Sequence, residues 1–298
     1  MVQSSTQFQS LVDLDPVLED IFFQSYGQIP MMGQTIFGMR NATKDKVTDQ
    51  LIGSFGDPKE FKGKVEYDES LPDFQVEYTF PEYANGFMVT RKMLDDLQYD
   101  GIFDRADNLG QSFARWEEKV KANIFNNAFS GTTGYDGKVL CANNHPRSQS
   151  DTTAVDNLLT AALSSDSLET AIVQLANLGD DLGQQTSVMA NLLLVPWQLR
   201  KTAHELGMSE LTPEDANTAA NVHFGMQYMV WPFLTSSTAW FVLDTGVSNL
   251  WLKWYDRIPL EFAAQDDFNT LIRQYRAYRR LGLGYSNFRF VVGSTGAG

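Results

Sequence analysis

The clearest pattern in the chain is a stripe of apolar residues at helical spacing. Ile102, Phe103, Ala106, Leu109, Phe113, Trp116, Val120, Ile124 and Phe125 recur three and four residues apart, the period of one face of an α-helix. The opposite face is polar: Asp104, Arg105, Asp107, Gln111, Arg115, Glu117, Glu118, Lys119 and Lys121. No proline interrupts the run, and Gly110 is a local weak point. From Ile102 to Phe129 such a helix spans about 42 Å at 1.5 Å per residue. A helix this long with one apolar side implies an elongated molecule lying over a sheet.

A second period precedes it. Phe74, Val76, Tyr78 and Phe80 alternate with Gln75, Glu77 and Thr79, as in a half-buried strand. Val65 and Tyr67 alternate the same way, so residues 61–91 read as a long hairpin, with a further tight turn at Asn85-Gly86. A lone two-stranded hairpin is barely stable in water. Two readings follow: the stripe packs on its own domain, or it reaches a neighbouring subunit. Upstream, a short helix over Leu11–Phe23 is expected to start at Asp13 or Asp15, with Pro16 in its first turn. Gly27, Pro30, Gly33, Gly38, Gly53, Gly56 and Pro58 then break every element, which reads as an extended arm ordered by another surface.

After the long helix, Gly131–Gly137 breaks the chain and Lys138–Ala142 can form a strand, followed by polar loop over 146–165. A helix is expected from Asp166, capped in capping-box fashion with Glu169, its buried side marked by Leu168, Ile172, Leu175 and Leu182. Strands are expected at Leu192–Val195, Gln227–Trp231 and Trp240–Leu243, with a short helix opened by Pro196 and stopped by Gly207, and loop over 209–224. Together these suggest a compact α/β lobe. In the tail Ile258, Leu260 and Phe262 alternate. Residues 269–281 fit either period and are read as strand–turn–strand, with the turn at Gly282 and Gly284 and a last strand over Phe288–Val292. There is no internal repeat.

Charge narrows the function. The net charge is −14, and from Lys253 onward seven basic residues face four acidic ones, leaving −17 on the first 252 residues. A sequence-independent nucleic-acid binder needs a basic face, which most of this chain lacks. The first thirty residues hold no Lys or Arg, and the densest apolar run, Leu192–Trp197, is too short to span a bilayer, so a soluble protein made in the cytosol is expected. Cys141 is the only cysteine. Its spacing to His145 admits a nucleophile–base pair, but nothing supplies an orienting group or oxyanion site, and a buried Cys beside a loop His is the better reading. His145, His204 and His223 lack metal-ligand spacing. Asp180-Asp181 and Asp266-Asp267 read as turn or helix-end charges. Gly282-x-Gly284 and Gly131-Thr-Thr-Gly134 lack the remainder of a dinucleotide or phosphate-loop motif. No catalytic residue, cofactor or metal is expected. Arg273, Arg276, Arg279 and Arg280 could touch phosphates or pair with acidic surfaces on neighbouring copies; the acidity of the remaining chain favours the second.

The order of these elements resembles the HK97-like capsid fold, an α+β architecture, and the residues resemble the major head subunits of Mu-like tailed bacteriophages. The resemblance is carried by Glu60–Met93 as extended loop, Leu109–Phe129 as spine helix, Asp136-Gly-Lys-Val-Leu-Cys-Ala-Asn-Asn-His-Pro146 after it, Leu192-Leu-Leu-Val-Pro-Trp197 and Trp240-Phe-Val-Leu-Asp244 in the apical lobe, and Phe268–Val292 as closing strands. It implies an N-terminal arm (1–59), an extended β-hairpin loop (60–92), a peripheral domain with the spine (93–159), an apical domain (160–252) and return strands of the peripheral sheet (253–298).

It further implies a homo-oligomer of hexamers and pentamers in an icosahedral virion head, enclosing double-stranded DNA without sequence-specific contact. Synthesis would be in the bacterial cytoplasm, with separate scaffolding, portal and decoration proteins and no membrane. Some relatives cross-link a loop Lys to an Asn; Lys59, Lys62 and Lys64 are present, but no pair is indicated. On this reading Phe74, Val76, Tyr78 and Phe80 contact the adjacent subunit, Phe113 and Trp116 pack the spine on the C-terminal strands, and the four arginines join subunits. A nanocompartment shell of the same fold and a cytosolic α/β enzyme are the alternatives.

Overall fold

The computed structural model describes residues 11–65, 67, 72–131, 134–211, 220–267 and 269–297. The first ten residues of the expected arm, residues 66 and 68–71 of the expected hairpin, Thr132 and Thr133 of the glycine loop, residues 212–219 of the expected 209–224 loop, and Phe268 lie outside these. Helix α1 (Asp15–Gln28) starts with Pro near its first position, as expected, and runs five residues past the expected end. Strands β1 (Gly38–Asn41) and β2 (Lys46–Ile52) follow, then β3 (Pro72–Thr79) and β4 (Glu82–Thr90). The Thr90 hydroxyl caps the short α2 (Arg91–Asp95), and α3 (Tyr99–Asn126) is the long helix. Beyond it come β5 (His145–Pro146), β6 (Ala154–Val155), β7 (Leu158–Leu159), α4 (Ser165–Ala176), β8 (Leu192–Val195) and α5 (Arg200–Met208). The chain closes with β9 (Gln227–Val230), β10 (Trp240–Leu243), α6 (Thr245–Trp251), β11 (Leu252–Asp267), β12 (Ile272–Tyr285) and β13 (Val291–Ser294).

Two sheets flank the long helix. One has the order β1-β11-β12-β4 and is antiparallel except for the β1–β11 edge. The other, in the order β7-β13-β10-β8-β9, is the core of a lobe. The apolar stripe of α3 does what its period predicts over its first half: Ile102, Ala106, Leu109 and Phe113 are buried with residues of α1 and the first sheet. Gly110 is a contact point rather than a defect, since a Cβ there would lie 2.4 Å from the carbonyl oxygen of Phe22; α1 can approach α3 only over a glycine. The arm segment is thus ordered by its own chain. The second half of α3 enters the largest apolar cluster, where Ala122 and Phe125 meet Trp231, Phe241 and Trp254. On the far side of the lobe sheet, Leu168, Ala171 and Leu175 of α4 and Ala203 and Leu206 of α5 cover Leu193, Val195, Trp240, Val242 and Val292.

Several sequence expectations change. The hairpin is present, but the described residues 61–65 and 67 form no strand: β3 pairs with β2, drawn from the expected arm, with Val47 opposite Tyr78. Asn85-Gly86 is no turn but lies within β4, opposite Ala277 and Arg276 of β12. Gly282 and Gly284 are also inside a strand; a Cβ at Gly282 would lie 2.4 Å from Thr79 O, so the glycine lets the end of β3 cross close to β12. Lys138–Ala142 forms no strand: the amide of Cys141 goes to Ala128 O and that of Ala142 to the Asn157 side chain, outside any ladder. The box that starts α4 is Ser164 with Ser167, not Glu169, and Leu182 is exposed beyond the end of that helix. The short strands β6 and β7 and helix α6, capped by Asp244, had no clear signal.

Candidate assembly surfaces

The hairpin has two unlike parts. At its root Tyr78 and Phe80 are 3% and 4% exposed, packed on Tyr255 with ring centroids 5.0 and 6.1 Å away. Phe74 is half-buried against Tyr135 at 5.5 Å, and Val76 packs beside Tyr78. The stripe expected at a neighbouring subunit is therefore seated on its own chain. The period-two pattern that marks these residues as apolar cannot say which surface covers them. Lys253 adds an ion pair to Asp49 on β2. The other part is the end of the hairpin, where Ile52, Phe55, Phe61, Val65 and Tyr67 are all more than half exposed. Val65 and Tyr67 were visible as an alternating pair; Phe55 and Phe61 lie in a stretch without secondary structure and so without period.

On the spine, Phe113 is buried with Phe22, Leu109 and Ala277, and half-buried Trp116 stacks at 4.4 Å on Tyr83 of β4. One turn further three residues of the polar face are not in solvent, although Arg115 and Lys119 are. Glu117, Glu118 and Lys121 are 1%, 0% and 0% exposed. Lys121 Nζ donates to Glu117 Oε1 at 2.9 Å and Glu118 Oε1 at 3.3 Å. Glu118 also accepts from Gly33 N at 3.2 Å and from Trp231 Nε1 at 3.0 Å, so one carboxylate ties the N-terminal segment and the lobe to the spine. Glu117 Oε2 accepts from the Tyr26 hydroxyl and Arg279 Nη1, both at 2.5 Å. The bonds satisfy buried charges that would otherwise be strongly destabilising.

This network redefines the arginines. Arg279 makes a fork onto Asp256, with Nη2 at 2.8 and 3.0 Å, besides its bond to Glu117. Arg273 pairs with Asp15 on α1 and with Asp266 at 2.7 Å. Both were expected to join subunits, and both are buried and paired within the chain. The reason is the strand period: residues 273, 275, 277, 279 and 281 of β12 share the face turned to the helices. Arg280 donates to Phe80 O at 2.8 Å, and Arg276 is exposed on the other face.

None of these places is arranged for catalysis. Cys141 is buried, and burial pushes its thiol pKa up, away from the reactive thiolate. His145 is also buried, its Nδ1 held 2.5 Å from Asp136 Oδ2 and its ring stacked 3.8 Å from Phe288, in a structural setting. A cleft of about 610 Å³ lies between β3, the C-terminal half of α3 and β12. Of its four tyrosines, Tyr78, Tyr135 and Tyr285 have pKa values raised by burial, and Glu77 is the only carboxylate among its described residues. Among the described residues no cluster of His, Cys, Asp or Glu could hold a metal ion, and no helix is long and apolar enough to cross a membrane.

Comparison with solved structures gives the fold its relatives. A virus-like particle from Pyrococcus furiosus matches with a TM-score of 0.56 at 11% identity, over 94% of this chain and 98% of the other. The procapsid of bacteriophage JBD30 matches with a TM-score of 0.54 at 15% identity, over 96% and 75%. The mature capsid of bacteriophage PhiM1 matches with a TM-score of 0.58 at 11% identity, over 89% and 87%. At these identities the likeness shows the fold, an α+β fold resembling HK97-like capsid proteins. No curated protein matches the chain. The family model described as "Phage capsid protein" matches residues 73–294, which include the whole of α3, the lobe and every strand of the two main sheets except β1. The chain therefore belongs to the phage capsid protein family, as a capsid-forming structural protein and not an enzyme.

Proposed function

We propose that this protein is the major head subunit of a Mu-like tailed bacteriophage, assembling as hexamers and pentamers into an icosahedral head around double-stranded DNA. The observation that carries the reading is the end of the hairpin. A chain of a capsid family holds five large apolar side chains outward at the end of a two-stranded projection whose root is packed on the body. Large apolar side chains exposed together on one segment of the chain support an interaction site there. On this reading the adjacent copy covers Ile52, Phe55, Phe61, Val65 and Tyr67, in place of the stripe at the root.

The interior would let DNA slide. Of the seven basic residues from Lys253 onward, Lys253, Arg273 and Arg279 are paired with carboxylates of their own chain, and Arg289 donates to Gly179 O and Arg147 O. That supports a wall without a basic face, which would otherwise hold phosphates tightly at modest salt. Scaffolding, portal and decoration proteins would be separate chains.

Electron microscopy of the purified recombinant protein tests the proposal. Phage-sized heads are expected; dispersed small oligomers under all assembly conditions would overturn it. Small uniform cages would favour the second reading, a nanocompartment shell of the same fold.

A further inference from the structure

The hairpin is fastened to its own lobe near its far end as well as at its root. Ser54 N donates to both carboxylate oxygens of Asp181, each at 3.0 Å. Gln149 N donates to Asp73 Oδ1 at 2.7 Å. Each bond joins a hairpin residue to a loop beside the lobe: Asp181 lies between α4 and β8 of the lobe, and Gln149 between β5 and β6, a two-stranded sheet of its own.

The lobe side of this join is built in advance. Arg289, itself buried, donates Nε to Gly179 O at 2.6 Å and Nη2 to Arg147 O at 2.7 Å, so one side chain pins both loops. Asp180 Oδ1 accepts from Leu182 N at 3.0 Å and Gln184 N at 2.8 Å, which closes the turn that presents Asp181. Ser148 N donates to Asp151 O and Asp151 N returns to Ser148 Oγ, both at 3.0 Å, closing the turn that presents Gln149 N.

The hairpin side is different. The stretch from Gly53 to Phe61 has no helix or strand, and the join is bordered by a polar cavity of about 510 Å³ lined by Gly53, Ser54, Asp73, Ser148 and Asp181 among others. Carboxylate-to-amide bonds beside an open cavity are strong enough to hold a segment and weak enough to exchange with water. The exposed apolar residues Ile52 and Phe55 flank the very amide that is held.

We propose that the Asp181–Ser54 and Asp73–Gln149 bonds form a latch that retains the apolar end of the hairpin on its own lobe, and that opening this latch sets the rate at which a subunit engages its neighbour. The inference rests on the shell-forming reading above. The closed latch is an autoinhibitory contact of position, not of cover: the apolar side chains stay exposed, but the segment that carries them is held on its own chain and cannot reach across to a neighbour until the bonds open. The pinned loops make re-closure fast and the closed state unique, whereas the hairpin side alone rearranges.

The test uses the full chain and two readouts, amide hydrogen exchange over 46–54 and 72–79 in the unassembled subunit, and light scattering during assembly. The variants are Asp73→Ala with Asp181→Ala, Asp181→Asn, and Ser54→Pro. Ser54→Pro removes the donor from the hairpin side, leaves the lobe intact and carries the test if the double alanine variant misfolds. Exchange about tenfold faster is expected in the double variant and in Ser54→Pro, together with assembly several-fold faster than wild type. Asp181→Asn keeps an acceptor and should stay near wild type. Unchanged exchange would remove the latch. Raised exchange with assembly unchanged or slower would remove its control of assembly. If wild type and variants alike form no particles, the shell reading falls and the control with it, while the exchange measured on free subunits still decides whether the latch exists.

Discussion

Two neighbouring stretches of the long helix, one in its first half and one opening its second, solve the same packing problem by opposite means. Up to Phe113 the contact with α1 and the first sheet is apolar, and its parts are interchangeable in kind: Leu109, Phe113, Phe22 and Ala277 offer shape and area. From Glu117 to Lys121 the contact is ionic, and every atom has an assigned partner. An apolar contact positions a helix loosely along its axis, because sliding by a methyl group changes little. A network in which Glu118 must meet Gly33, Trp231 and Lys121 at once has one solution. The difference assigns stability to the apolar contacts, those of Ala122 and Phe125 further along the helix included, and to the ionic turn between them the placing of the lobe and the N-terminal segment on the spine.

The largest expected effects separate these two roles by rescue rather than by size. Phe113→Ala and Lys121→Ala should each destabilise the subunit by about 3–5 kcal/mol in denaturant unfolding, one through a cavity and the other through uncompensated buried carboxylates. Phe113→Leu should recover most of the loss, staying within about 1.5 kcal/mol of wild type. Lys121→Met keeps the volume but not the charge and should remain as costly as Lys121→Ala. If Lys121→Met were as stable as wild type, the carboxylates would not depend on the ammonium and the contrast between the stretches would collapse.

Alkaline titration sharpens the same contrast. Tyr26 at the ionic stretch and Tyr275 under α1 both have pKa values raised above the usual 10.0, first by burial and then by the charges of Glu117 and Asp15 respectively. A phenol with a folded pKa above its unfolded one contributes stability that is complete below about pH 10 and is lost as pH rises toward the folded value. Stability should therefore be insensitive to these groups at neutral pH and fall above pH 10, with the tyrosinate absorbance of these two residues developing only as the protein unfolds. Glu117→Gln removes the charge beside Tyr26 but leaves Tyr275 alone, so only the Tyr26 part of the alkaline loss should shrink. Equal tyrosinate titration in folded and unfolded protein would contradict the burial.

The stretches also differ in how far the sequence exposed them. The stripe from Ile102 to Phe125 is long enough for its period to be unmistakable, and the apolar runs Leu192–Val195 and Trp240–Leu243 mark buried strands by content alone. The burial of Glu117, Glu118 and Lys121 could not be read, because charged residues on the polar side of a helix look alike whether they face water or one another. For Arg273 and Arg279 a signal was present: they share the alternating face of Tyr275, Ala277 and Leu281, which placed them inward. The partner of β3 was missed because Lys46-Val-Thr-Asp-Gln-Leu-Ile alternates only half-buried Val47, Asp49 and Leu51 with exposed residues, a weak apolar signal. The family resemblance covered the general fold but could not supply this register, since strand pairing depends on contacts distant in sequence.

The smallest expected effect on stability belongs to the end of the hairpin, and it draws the line between what folds the subunit and what joins subunits. Tyr78 and Phe80 at the root are part of the subunit's own core, so replacing both with Ser should unfold the isolated chain rather than merely stop assembly. Phe55 and Phe61 are exposed in the free subunit and contribute little there. Phe55→Ser with Phe61→Ser should change unfolding free energy by no more than about 0.5 kcal/mol for each site, the range of surface substitutions. The same double variant should nevertheless fail to form particles, because the apolar area it deletes would be buried only against a neighbour. Sedimentation of the folded variant measures this directly: material remaining as small oligomers at concentrations where wild type forms shells is the expected result. Shells formed as readily as by wild type would show that assembly relies on another surface, and the exposed end of the hairpin would lose its assigned role.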